Sequence, residues 1–131
     1  MITAVNSTKS SYTPSFNANI PNTVGKKACD RMAKQLLEYG NVEEQNFAQR
    51  YFKSIKKIKK EKDIDEVILC STNKTRSMPY ISADGYRVNS FNLSKQPENL
   101  NKSEQKTFML MDCVNYLADT IQNVIIGIKA M

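Results

Sequence analysis

The residues of this sequence with the clearest potential for chemistry are lysines gathered in one short segment. Residues 42–62 carry seven basic and three acidic side chains, so they hold +4 of the chain's formal net charge of +6. Apolar residues such as Phe47, Tyr51 and Ile58 recur through this segment at helical spacing. At about 100° per residue, four lysines fall on the opposite side of that helix, and we call them the lysine face: Lys53, Lys56, Lys57 and Lys60.

The lysine face predicts either a solvated helix surface or a surface that binds polyanions. Lysines that neutralise phosphates release counterions, which produces salt-sensitive binding to nucleic acid without sequence preference. An acidic protein or an anionic membrane surface also carries negative charge and is a further candidate ligand for the lysine face. The chain has 15 lysines and only four arginines, and arginine is the residue suited to bidentate base contacts. Any nucleic-acid binding is therefore expected to be indifferent to sequence.

The sequence lacks the residue on which most acid–base and metal chemistry depends, because it contains no histidine. Its three cysteines, Cys29, Cys70 and Cys113, are spaced unlike a zinc motif or a redox pair. Free cysteine is among the most buried residue types. We therefore expect three small buried side chains in a reducing compartment, the cytoplasm.

The other polar candidates do not form a recognisable catalytic or metal site. Asp112 and Asp119 lie seven residues apart on one helical face and flank Tyr116, where two carboxylates can bind a metal or act as acid and base. Nothing else completes such a site, so a solvated face is the preferred interpretation. The acidic residues Asp63, Asp65 and Glu66 are likewise expected to be solvated, and Ser94 and Ser103 have no base partner. Arg76 and Arg87, near the predicted hairpin, can approach each other and hold an anion, but nothing else in the sequence supports such a site. We predict no enzyme, no metal, no cofactor and no small-molecule ligand.

The C-terminal segment predicts one long helix, which begins near Asn101 or Ser103 and runs nearly to the end. Its apolar residues form a heptad-like seam that includes Leu110, Val114 and Leu117. Four further apolar residues lie outside the stripe that one core would cover: Phe108, Met109, Tyr116 and Ile126. A helix that is apolar on several sides is either central in its own domain or covered by a partner. The first is the commoner arrangement, and the second is the functional hypothesis, with a protein partner or a second copy in a homodimer.

The elements that position these residues follow from local signals. A first helix is predicted over about Val24–Tyr39, ended by a left-handed stop at Gly40–Asn41, and Asn41 with Glu44 forms a capping box for the second. Residues 64–72 predict a strand buried on both faces. Asp84–Gly85 predicts a type I′ hairpin between residues 79–83 and 86–91, which pairs Ala83 with Tyr86 and Ile81 with Val88.

These elements predict an α+β fold with an N-terminal helical hairpin, an antiparallel sheet of about three strands and a long C-terminal helix. Residues 1–22 predict a flexible tail, and residues 23–131 a single domain. The leading functional hypothesis is a non-enzymatic protein-interaction module that uses the C-terminal helix. The alternative is non-specific nucleic-acid binding through the Lys-rich helix 42–62. A third is an effector-like protein exported from bacteria through an uncleaved, unstructured N-terminal signal. No membrane span is predicted.

Overall fold

The computed structural model describes residues 17–70, 78–89 and 93–130 and confirms the α+β fold. The predicted helical hairpin, small antiparallel sheet and C-terminal helical region follow one another in that order. The seven elements are α1 (Val24–Tyr39), α2 (Val42–Lys59), β1 (Val67–Cys70), β2 (Tyr80–Ala83), β3 (Tyr86–Val88), α3 (Lys102–Asp119) and α4 (Ile121–Ala130).

The helices of the N-terminal hairpin begin where their capping residues predict. The Asn41 side chain accepts a hydrogen bond from the Glu44 amide, and the Glu44 carboxylate accepts one from the Asn41 amide, both at 2.8 Å. The predicted left-handed stop at Gly40 is wrong, since its φ of −80° and ψ of 165° are extended. Glycine is required there for space, because a Cβ would lie 2.4 Å from the carbonyl oxygen of Leu36.

The sheet is antiparallel with the order β1-β2-β3, and its hairpin has the predicted register. Ala83 pairs with Tyr86, and Ile81 pairs with Val88. Asp84 and Gly85 have φ angles of 52° and 83°, as a type I′ turn requires. The Asp84 carboxylate also accepts hydrogen bonds from the backbone amides that precede β1, at 2.8–3.0 Å. The turn therefore fixes both its own strands and the start of β1.

Strand β1 differs from the prediction, because it lies at the edge of the sheet and buries one face only. Val67 and Leu69 are buried, whereas the alternate residues Ile68 and Cys70 are half-buried. The contacts that cover its outer edge come from the chain before α1. Asn19 exchanges two backbone hydrogen bonds with this region, and the Thr23 hydroxyl donates to the Leu69 carbonyl at 2.9 Å.

Part of the predicted tail is joined to the domain. Ala18 is 4% exposed within the core, and Asn19 forms an isolated parallel bridge with Glu66. The packed chain therefore begins before residue 23. Residues 1–16, which include most of the proposed export signal, lie outside the described residues.

The C-terminal region is two helices instead of the single helix predicted. The break falls at Thr120, whose φ of −118° and ψ of 21° leave the helical region. Its hydroxyl donates to the Tyr116 carbonyl at 2.8 Å, and a threonine that bonds back to its own helix tends to bend it. α4 then resumes, with Val124 donating to the Thr120 carbonyl.

Three layers build the domain. The sheet packs against α1 and α3, and α2 packs against the same two helices from the other side. α3 lies in the middle layer, which explains why ten of its residues are buried. The outward side of α2 and the outer face of the sheet therefore lie on opposite sides of the protein. Within the described ranges, no helix combines the length and the apolarity needed to cross a bilayer.

Candidate nucleic-acid interface

The structure places all four residues of the lysine face on the surface of α2. The buried side of the helix comprises Phe47, Ala48, Tyr51, Ser54, Ile55 and Ile58. On a helical wheel the centre of the lysine face lies about 170° from the centre of this buried side. Lys53, Lys56, Lys57 and Lys60 are all exposed, with Lys60 immediately after the last helical residue.

None of these four lysines forms an ion pair with a described carboxylate. The ion pairs among described residues join Lys26 to Asp30 at 2.7 Å and Lys129 to Asp63 at 3.5 Å. The positive charge of the lysine face is therefore not neutralised by neighbouring described side chains. Such a surface attracts anions and holds a counterion atmosphere of its own.

The four apolar residues predicted to bind a partner do not form one surface. Phe108 is 3% exposed, and its ring stacks on Phe47 of α2 at a centroid distance of 4.3 Å. Met109 and Tyr116 are half-buried, and Tyr116 packs against the core. Ile126 is 62% exposed, but it lies on α4, beyond the helix break. The fold thus encloses Phe108, one of the two aromatic side chains of the predicted interface.

A second candidate region is an open cleft of about 580 Å³ between the start of α2 and residues 94–98. The Phe47–Phe108 stack forms part of its lining, and the Arg50 guanidinium lies over the Phe47 ring at 5.4 Å. Its polar lining mixes both signs of charge, from Glu43, Glu44, Arg50, Lys95 and Glu98. The mixture selects no ligand of one charge.

Two predictions about the carboxylates and serines are wrong at this cleft. Asp112 is 5% exposed instead of solvated, and Ser94 has a partner. The Ser94 hydroxyl and amide donate to the Asp112 carboxylate at 2.9 and 3.1 Å. Asp119, by contrast, is exposed, so the two aspartates do not form a site. The Ser94–Asp112 contact fastens the loop before α3 to that helix.

The remaining polar candidates are separate. Asp63, Asp65, Glu66 and Ser103 are exposed. The Arg87 guanidinium lies 4.4 Å from the centre of the Tyr80 ring on the outer face of the sheet. Arg76, its proposed partner in anion binding, lies outside the described residues. Among described residues, no group of three or more Cys, Asp or Glu side chains is arranged to hold a metal ion.

The cysteines are free thiols in two different environments. Cys29 and Cys113 are buried as expected, and burial raises the pKa of the Cys29 thiol well above its ordinary value. Cys70 is only half-buried, which the sequence did not predict. Beside Cys29, the Tyr51 hydroxyl donates to the Asp30 carboxylate at 2.9 Å. Burial is the main cause that raises the pKa of Tyr51, followed by the neighbouring Cys29 and Asp30.

Comparison with known proteins adds no assignment to this geometry. No protein-family description, no curated protein and no solved structure matches the chain. The chemistry of the surface is therefore the basis for inferring a function.

Proposed function

We propose that this protein binds nucleic acid without sequence specificity through the lysine face of α2. The observation that carries the proposal is the exposure of four lysines on one helix side, with no ion pair to a described carboxylate. Surface lysines are ordinarily solvated, but here the helical hairpin concentrates the chain's charge excess in one place. Localised positive charge of this kind is the electrostatic footprint of a phosphate-binding surface.

The mechanism is contact between ammonium groups and phosphate oxygens, driven by the release of condensed counterions. Base readout has no support, because lysine lacks the planar fork of arginine. The aromatic residues of α2 also offer little surface for base stacking, since Tyr51 is fully buried and Phe47 is 5% exposed. Phe52, the nearest of them to the lysine face, is half-buried and packs against the core. The proposed contact therefore positions the protein on the backbone and reads no sequence.

The hypothesis of a protein interaction through the C-terminal helix has weaker support. It depended on spare apolar surface, and Phe108, one of the two aromatic members of that set, is covered by Phe47 within a single copy. Ile126 is exposed, but it lies on α4 and is separated by the helix break from the other three residues on α3. We therefore rank association with a partner or a second copy behind polyanion binding.

The test compares two variants that remove the same charge from different places. K53Q/K56Q/K57Q/K60Q neutralises the lysine face, and R87Q/K95Q/K102Q/K129Q neutralises four exposed cations outside the hairpin. We expect the natural protein and the second variant to bind a labelled oligonucleotide at low salt, and the first variant to lose most of its binding. Equal losses in both variants would show that net charge, and not the lysine face, governs binding. Absence of binding by the natural protein at low salt would refute the proposal.

A further inference from the structure

The outer side of α1 carries a second row of exposed cations. Lys27, Arg31 and Lys34 are all exposed, and their spacing of four and three residues places them within about 60° on a helical wheel. The buried side of α1 comprises Gly25, Cys29, Met32 and Ala33 and lies opposite. Lys26 is not part of this row, because it is half-buried and pairs with Asp30.

Contacts between the helices show that the two rows point away from α3. On α2, Phe47 stacks on α3, and the centre of the lysine face lies about 130° from Phe47 around the wheel. On α1, the Cys29 thiol lies 3.6 Å from the Thr107 carbonyl of α3, and the row lies about 170° from Cys29. Both rows therefore belong to the outer side of the hairpin.

The hydrogen bond between Tyr51 and Asp30 fixes how the two antiparallel helices align. It places Lys27 about level with Ser54 and Lys34 about level with Phe47. The cations then extend along the hairpin from the level of Lys34 to Lys60, which is about 13 residues or roughly 20 Å. Packed helix axes lie about 8–10 Å apart. The lysine face lies about 170° from Tyr51 around the wheel and therefore points away from α1, so the two rows are farther apart than the helix axes.

Charge outside the hairpin adds nothing to the excess. Residues 24–62 hold eleven basic and five acidic side chains, a net of +6, which equals the net charge of the whole chain. Glu38 lies one turn beyond Lys34 on the same side of α1 and ends the positive surface there. We call the seven cations the basic band: Lys27, Arg31, Lys34, Lys53, Lys56, Lys57 and Lys60.

We propose that the basic band binds the two phosphate backbones of a nucleic-acid duplex, with α1 contributing as directly as α2. The inference rests on the proposed function and specifies its ligand. A length of roughly 20 Å corresponds to about six base pairs at 3.4 Å each. Two rows separated by more than about 10 Å are on the scale of the wider duplex groove, which is about 12 Å across, whereas a single strand offers one row of phosphates.

The band also lacks what a single-strand site requires. Proteins that bind single strands combine cations with aromatic side chains on which the bases stack. Among described aromatic residues of the hairpin, Phe47 and Tyr51 are buried. Phe52, beside the band, is half-buried, packs against the core and makes an edge contact with the Tyr51 ring. Tyr39 is 81% exposed, but it lies at the turn, beyond Glu38 and outside the band. Stacking therefore offers a single strand little compensation for the missing second backbone.

The test uses K27Q/R31Q/K34Q and a matched control, R87Q/K102Q/K129Q, in the full-length chain. Labelled duplexes of about 20 base pairs, in DNA and RNA forms, are titrated across salt, together with one single strand of the same sequence. We expect the α1 variant to lower the slope of log K against log[salt] by about 2.7 for the duplex, since each phosphate contributes about 0.9. The slope per phosphate is about 0.9 for a duplex and about 0.7 for a single strand, so seven contacts give total slopes that differ by about 1.4. For equal affinities at about 1 M salt, this difference makes duplex binding on the order of 50-fold tighter than single-strand binding at about 0.05 M salt.

The outcomes separate this inference from the proposal beneath it. Unchanged binding by the α1 variant, together with loss in K53Q/K56Q/K57Q/K60Q, overturns the basic band and leaves the lysine face in place. Equal affinity for duplex and single strand overturns the choice of ligand. A protein that binds vesicles of phosphatidylserine but no nucleic acid overturns both proposals. Preference between the DNA and RNA duplexes identifies which source of paired phosphates the band accepts.

Discussion

Neutralising the lysine face changes the salt dependence of binding by an amount that follows from the structure. The change is K53Q/K56Q/K57Q/K60Q, which removes four exposed charges on one side of α2. Each lysine that contacts a duplex phosphate adds about 0.9 to the slope of log K against log[salt]. Four contacts therefore add about 3.6, and the variant slope should be smaller by that amount. Between 50 and 200 mM salt, the natural protein should lose about 150-fold more affinity than the variant.

Fluorescence anisotropy of a labelled duplex at several salt concentrations measures both slopes. Circular dichroism and thermal melting of each variant check that α2 still forms, because lysines near a helix C-terminus also interact favourably with the helix dipole. R87Q/K95Q/K102Q/K129Q, with the same charge removed elsewhere, should keep the natural slope. A folded lysine-face variant with an unchanged slope would show that these lysines do not contact phosphates and would refute the reasoning.

Three further predictions concern the fold. G25A should lower the free energy of unfolding, measured in denaturant, by about 1–3 kcal/mol despite a gain in helix propensity of about 1 kcal/mol, because the new Cβ would lie 2.8 Å from the Leu69 carbonyl oxygen. G127A should instead raise it by about 0.5–1 kcal/mol, since the nearest atom to its Cβ is 3.6 Å away. A change of the same sign in both variants would contradict this packing. Cys70 should react with a thiol reagent in the native state much faster than the two buried cysteines, and equal rates would contradict their burial. The Tyr51 pKa is raised in the folded state, so its contribution to stability is present below its ordinary pKa of 10.0 and is lost as pH rises above it; melting temperature should fall between pH 9 and 11, and less steeply in Y51F.

Local signals predicted the elements well where one short segment determines its own geometry. The Asn41–Glu44 capping box and the Asp84–Gly85 turn each satisfy their requirements within four residues, so the sequence is sufficient to place them. The hairpin register followed from the turn because a two-residue loop leaves one pairing.

Features that depend on distant residues were not predictable in the same way. The burial of Phe108 requires the ring of Phe47, 61 positions earlier in the chain, and the burial of Asp112 requires the loop that carries Ser94. Strand β1 has an apolar composition, but only the pairing order places it at an edge. The sequence around Thr120 does not distinguish it from a threonine inside a continuous helix, and the helix break accompanies a hydrogen bond from its hydroxyl to the Tyr116 carbonyl.

The candidate site was half visible in the sequence. The lysine face was evident because its four residues are close together in one helix. The row on α1 has an equally regular spacing of Lys27, Arg31 and Lys34, and this signal was available. Its significance depends on the alignment set by Tyr51 and Asp30, which brings the two rows to the same level along the hairpin.

The most direct test of the central claim is lysine footprinting by acetylation, with and without a bound duplex, read by mass spectrometry. The account predicts that Lys53, Lys56, Lys57 and Lys60 become protected in the complex, while Lys95 and Lys102 are modified as fast as in the free protein. Protection of Lys95 and Lys102 with unchanged modification of α2 would place the ligand elsewhere and contradict the account.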